Sequence, residues 1–149
     1  MNAIHGLFEV VPGAIYQVRG FDLANMTFVR TDHGWIIIDA TTSEASALAG
    51  YRLVKQHLGD LPVRALIITH PHIDHYGGME AICREVSNKD MKIIVPKGFY
   101  EEALSENVMA GTAMGRRASY MYGLLLPRHA GGNIGTGLGT TNSRGKSML

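Results

Sequence analysis

Toward the start of the chain, apolar positions alternate with polar ones or form short unbroken runs, the signature of strands rather than helices. Ala14–Val18 is short and β-prone, and Asn25–Arg30 carries Met26, Phe28 and Val29. Asp32-His33-Gly34 is a turn signal, and Trp35–Ile38 follows as an apolar run closed by Asp39. The two segments therefore predict a hairpin. The period then changes. Thr41 with Glu44 makes a capping box, which predicts a helix starting there. Ala47, Tyr51, Val54 and Leu58 give that helix one buried stripe, and Gly59 and Pro62 end it.

Val63–Thr69 is too short for a helix between those breakers, and its β-branched residues predict a buried parallel strand. Met79, Ile82, Cys83 and Val86 have helical spacing. Met91–Val95 reads as a further strand, closed by Pro96. Phe99–Leu126 reads as helical with a break near Gly111, the stripe of its second half being Met114, Ala118, Met121 and Leu125. After Pro127 the chain is rich in Gly, Thr, Ser and Asn and has little to bury. The order ββ-α-β-α-β-α is an α/β layer pattern. It assigns residues 1–129 to one layered α/β unit and residues 130–149 to a loop or disordered tail.

Composition narrows this only a little. The chain has 149 residues, 46% of them apolar and 18% charged, which suits one folded domain and excludes disorder throughout. A formal charge of +1 excludes nucleic-acid binding through bulk charge. No apolar run is long enough to span a membrane. The start lacks the pattern of a signal peptide, so the cytoplasm is the default compartment. Cys83 is the single cysteine, which excludes an intrachain disulfide.

The chemistry is concentrated in Thr69-His70-Pro71-His72-Ile73-Asp74-His75-Tyr76-Gly77-Gly78. Three histidines and an aspartate directly follow a buried parallel strand, where α/β sheets carry their sites. In extended chain His70 and His72 point the same way and can grip one ion. A turn can return Asp74 and His75 to the same cavity, with Gly77 and Gly78 allowing the tight path. Imidazoles and a carboxylate without thiolate suit zinc, or iron or manganese. One histidine in a loop is ordinary polar surface; four donors this close together point to metal. Two pairs of ligands suggest two ions, which would make water reactive near neutral pH, so hydrolysis is the natural chemistry.

His-x-His-x-Asp-His followed by Gly-Gly, after a hairpin ending in Ile38-Asp39, resembles the metallo-β-lactamase superfamily. Gly13–Asp22 with Asn25-Met26-Thr27, Ser105–Gly111, Arg116–Gly123 and Gly135-Thr136-Gly137-Leu138-Gly139 resemble its linear alkylsulfatase branch. The resemblance implies the N-terminal half of an αββα sandwich and a dizinc hydrolase that splits an alkyl sulfate into alcohol and sulfate. It implies His70, His72, Asp74 and His75 as metal ligands, Asp74 also as a catalytic carboxylate, and Asp39 as a residue that positions the loop. Asp39 can also be read as a carboxylate at the start of the helix beside Thr41.

The resemblance also implies parts this chain lacks: acidic bridging ligands and a later histidine, a dimerisation region and a C-terminal domain. One sheet face is then expected to be bare, calling for a homodimer or the rest of a longer chain. Two further readings keep the fold. One is a hydrolase of a lactone, thioester or phosphodiester; the other is a non-catalytic fragment needing a partner. Arg116 and Arg117 can hold sulfate, although a solvated helix face is the plainer reading. Met109, Met114 and Met121 can line an alkyl pocket, although helical core is plainer. Glu101, Glu102 and Glu106 can contribute carboxylates to the metal, although solvated or packing roles are the plainer reading of their helical setting. His129 lies where the family uses no metal ligand, and Cys83 reads as buried and inert.

Overall fold

The computed structural model describes residues 4–86, 90–136 and 145–148. Six strands form one sheet in chain order: β1 (Gly6–Val11), β2 (Ile15–Arg19), β3 (Met26–Thr31), β4 (Gly34–Ile38), β5 (Val63–Ile67) and β6 (Lys92–Ile94). The first four are an antiparallel meander. β4, β5 and β6 run parallel, because helices intervene between them. These helices are α1 (Glu44–Leu58), then α2 (Ile73–Tyr76) and α3 (Met79–Glu85). After β6 come α4 (Phe99–Leu104), a π-helical turn over Ser105–Met109, and α5 (Gly111–Met121).

The expected α/β architecture is therefore present, and the hairpin and the parallel β5 stand where the pattern puts them. β1 has no counterpart in the sequence reading. It is a half-exposed edge strand, so its Leu-Phe-Glu-Val-Val run shows no alternation.

Register explains which face is buried. Tyr16, Phe28, Ile37 and Leu66 stand opposite one another across four strands, and all four are buried. Together with Val18, Met26 and Trp35 they meet Ala47, Tyr51 and Val54 of α1 and Ile82 of α3 in one core. Ile15, Val29, Ile36, Ile38 and Ile67 belong to the opposite face and are only half-buried. This is the less covered face of the sheet, where half a sandwich is expected to be bare.

Helix α1 starts later than the capping box predicts. Ser43 is the N-cap, its side chain accepting from the Ser46 amide at 3.4 Å. Thr41 cannot serve, because its backbone is left-handed, φ 55°, and its hydroxyl lies 2.8 Å from Ser46 Oγ. The second long helix also departs from expectation. It ends at Met121 rather than Leu126, and no residue of α5 is buried. Met121 and Leu125 are exposed, so the Met114–Leu125 stripe is not core.

Of the expected loop or tail, residues 137–144 and 149 lie outside the described residues, and with them most of the Gly-rich run. Asn133 and Thr136 are buried. Lys146–Met148 returns to the domain: the Glu44 amide donates to Lys146 O at 2.9 Å, and the Met148 amide donates to Gly77 O at 2.8 Å.

Candidate metal centre

The motif occupies the carboxyl end of β5, beside the carboxyl end of its parallel neighbour β4. That juxtaposition brings Asp39, at the end of β4, to the histidine loop. Asp39 Oδ1 accepts from the Thr69 amide at 2.9 Å, and its carboxylate accepts from the Thr69 hydroxyl at 3.0 Å. Asp39 Oδ2 also lies 2.7 Å from His75 Nδ1. Asp39 thus contacts both ends of the motif, while Ser43 caps the helix. Its backbone is left-handed, φ 63°, an arrangement that costs roughly 1–2 kcal/mol and recurs at functional sites.

The loop returns on itself within one helical turn. His72 is the N-cap of α2, whose Asp74 and His75 follow at once. The His70 ring centroid is 4.0 Å from that of His75 and 4.5 Å from that of His72. His75 Nε2 is 3.4 Å from Asp74 Oδ2. Gly77 and Gly78 are needed for space rather than for unusual backbone angles, since both have negative φ. A Cβ on Gly77 would lie 1.9 Å from Thr42 O, and one on Gly78 would lie 2.3 Å from Ala47 Cβ.

Partners determine which ring nitrogens are free. The Thr69 hydroxyl has a single proton, and two contacts direct it to Asp39. It therefore accepts from His70 Nδ1, 2.9 Å away, which leaves the His70 Nε2 lone pair free. His75 donates Nδ1–H to Asp39, and its Nε2 faces Asp74 Oδ2. Burial pulls the His75 pKa down, but its hydrogen bonds to the Asp39 and Asp74 carboxylates outweigh it and push the pKa up to about 9. Burial works against ionisation of Asp74, yet the hydrogen bond and charge of His75 hold its pKa below the usual value. His70 is shifted down by burial and by the neighbouring His75 and His72 rings.

The donor types fit a zinc-like ion: three imidazoles and a carboxylate, with second partners fixing two of the rings. They are arranged in contacting pairs. Among the described residues, no group of three or more His, Cys, Asp and Glu side chains is set around one point where an ion would sit.

A cleft of about 500 Å³ opens beside the motif. His72 and Asp74 form one wall, Met114, Arg117 and Met121 of α5 the other. Arg117 lies 3.3 Å from Met114 Sδ and faces the cleft, whereas Arg116 is exposed and does not line it. Met109 is exposed. His129 Nδ1 accepts from the Gly131 amide at 3.0 Å, and the residue does not line the cleft. Glu101 and Glu102 are exposed on α4. Glu106 is not merely solvated: its Oε2 lies 3.3 Å from His72 Nε2. Cys83 is half-buried, and burial pushes its thiol pKa up, consistent with an inert side chain.

The sequence reading assigned no role to Thr69 or Asp22. Thr69 was within reach, being a hydroxyl adjoining the motif. Asp22 carries no local signal, since its partners Thr42 and Ser46 lie in another element.

Residues 19–108 match the family model described as "Metallo-beta-lactamase superfamily". The chain belongs to the metallo-β-lactamase superfamily. Within it, the chain is 54% identical over 148 residues to a "Linear primary-alkylsulfatase" of Pseudomonas sp., covering 98% of this chain and 22% of that protein. It is 42% identical to the "Alkyl/aryl-sulfatase BDS1" of Saccharomyces cerevisiae, covering all of this chain and 23% of the relative. The solved structure of the "stereoselective inverting sec-alkylsulfatase Pisa1" of Pseudomonas sp. superposes with a TM-score of 0.80 at 43% identity, over 95% of this chain and 23% of that one. The chain thus spans about a fifth of the length of the curated relatives it matches. Among the described residues, no helix is long and apolar enough to cross a membrane.

Proposed function

We propose that this chain carries the first ligand segment of a zinc-dependent alkylsulfatase, which adds water to an alkyl sulfate to give the alcohol and inorganic sulfate. The carrying observation is the histidine loop opening onto a cleft lined by His72, Asp74 and Arg117 together with Met114 and Met121. His70, His72, Asp74 and His75 would hold the metal, which when bound supplies Lewis acidity for hydrolysis. Asp39 and Thr69 orient the rings. Arg117 offers a planar cation to the sulfate oxygens, and Met114 and Met121 offer adaptable apolar surface to the alkyl chain.

Similarity to alkylsulfatases over nearly the whole chain favours a sulfate ester over a lactone, thioester or phosphodiester. The paired rather than enclosing donors, and the less covered Ile36–Ile38–Ile67 face, favour a chain that works with more polypeptide, whether a second copy or the rest of a longer one.

Elemental analysis and sulfate release from dodecyl sulfate test this together. Bound zinc with sulfate release that His70→Ala abolishes supports the reading. Zinc with cleavage of a lactone or phosphodiester but no sulfate release overturns the substrate. Neither zinc nor turnover favours a non-catalytic fragment.

A further inference from the structure

The π-helical turn Ser105–Met109 interrupts what would otherwise be a continuous helix, and such turns concentrate at functional sites. Its effect here is to set two adjacent side chains against the metal motif. Glu106 Oε2 lies 3.3 Å from His72 Nε2. Asn107 Nδ2 donates to the Tyr76 hydroxyl at 3.0 Å and to Ala103 O at 2.8 Å. Tyr76 is buried at the end of α2, packed against Phe99 of α4 with ring centroids 5.1 Å apart. The turn is thus fastened to α2 at both ends, at His72 before it and Tyr76 within it.

Among the described residues, His72 is the one motif ring without an orienting partner at the carboxyl ends of β4 and β5. His70 has Thr69 and His75 has Asp39. The Glu106 carboxylate is anionic and stands at ion-pair distance from Nε2, so it favours a neutral His72 with its proton on Nε2 and its lone pair on Nδ1. We infer that Glu106 is the positioning residue of His72, holding it in the Nε2–H form so that Nδ1 is the atom offered to the metal. Glu106 and Asn107 then give the motif a third anchor, supplied by an element far along the chain. This role presupposes that His72 is a ligand, as proposed above. Carboxylate partners of this kind change metal affinity by about 10- to 100-fold when removed.

The test uses the 149-residue chain, labelled with nitrogen-15 and free of metal, at a pH where the His72 ring is neutral. Proton–nitrogen correlations across the imidazoles report each tautomer, with His72 identified by its loss in His72→Gln. The wild type is expected to carry the His72 proton on Nε2. Glu106→Ala is expected to give a mixture and to weaken zinc binding, measured by chelator competition, by about tenfold or more. Glu106→Gln, whose carboxamide oxygen still accepts, is expected to restore the tautomer and most of the affinity. A His72 tautomer and zinc affinity unchanged in Glu106→Ala would overturn the role alone. So would Glu106→Gln behaving like Glu106→Ala. A wild-type chain that binds no zinc overturns the metal reading and this role with it.

Discussion

Asp39 and His75 meet at 2.7 Å across 36 residues of sequence, one at the end of β4 and the other on the helical turn after β5. The same carboxylate holds the Thr69 amide and hydroxyl, so a single side chain fixes both ends of the histidine loop. Asp39→Ala should therefore lower zinc affinity by about 10- to 100-fold while far-ultraviolet circular dichroism stays near wild type. Chelator competition measures this. Affinity equal to wild type would remove Asp39 from the site.

The His75 contacts make a pH prediction for the metal-free chain. Its pKa rises from 6.5 to about 9 on folding, so the folded state holds the proton more tightly than the unfolded chain. The sign follows: the contribution is complete below about pH 6.5 and is lost as pH rises through 9. The expected loss is at most about 3 kcal/mol, seen as a falling urea midpoint. His75→Gln should flatten the dependence over that window. A midpoint that climbs between those values would contradict the assignment.

Asp22 is fully buried and accepts from the Leu23 and Thr42 amides, the Thr42 hydroxyl and the Ser46 hydroxyl at 2.6 to 3.0 Å. It ties the loop after β2 to the segment that leaves Asp39 and enters α1. Asp22→Ala withdraws both carboxylate oxygens from buried donors and should destabilise the chain by about 3 kcal/mol. Equilibrium unfolding in urea gives the value. A change within experimental error would mean that the loop does not depend on this carboxylate.

Gly78 sits where α3 crosses α1, and its missing side chain is a packing requirement. A Cβ there would stand 2.4 Å from Ala40 O and 2.6 Å from Ser43 O, both backbone atoms that cannot swing aside. Gly78→Ala should destabilise by about 3 kcal/mol, comparable to overpacking elsewhere in protein cores. Thermal melts compared with Gly115→Ala are the control, because nothing lies within 4 Å of a Cβ at Gly115. Equal melting of the two variants would refute the close approach.

The alternating and helical periods were enough to read β2 to β5, α1 and α3, because those elements bury one face each, and β6 was read from its short apolar run before Pro96 although its three residues are exposed. The periods were not enough for β1, whose two faces are both partly wet; α5 is helical as read, but its methionines, though at helical spacing, are not buried among the described residues. The capping box at Thr41 was a sound local signal overridden by tertiary contact. Thr41 and Asp39 are held in left-handed backbone, so the cap passed to Ser43.

By itself the sequence determined the donor types, their order, and their position after a parallel strand, since all of these are local properties of His70 to His75. The family was legible for the same reason. Only the tertiary structure decided which nitrogen of each ring is committed and what commits it. Thr69 adjoins His70, but the other two partners, Asp39 just after β4 and Glu106 from the π-helical turn, come from chain segments more than thirty residues from the rings they face. A hydrogen bond acts over about 3 Å of space whatever the separation in sequence, so such partners become visible only once the sheet and helices have packed.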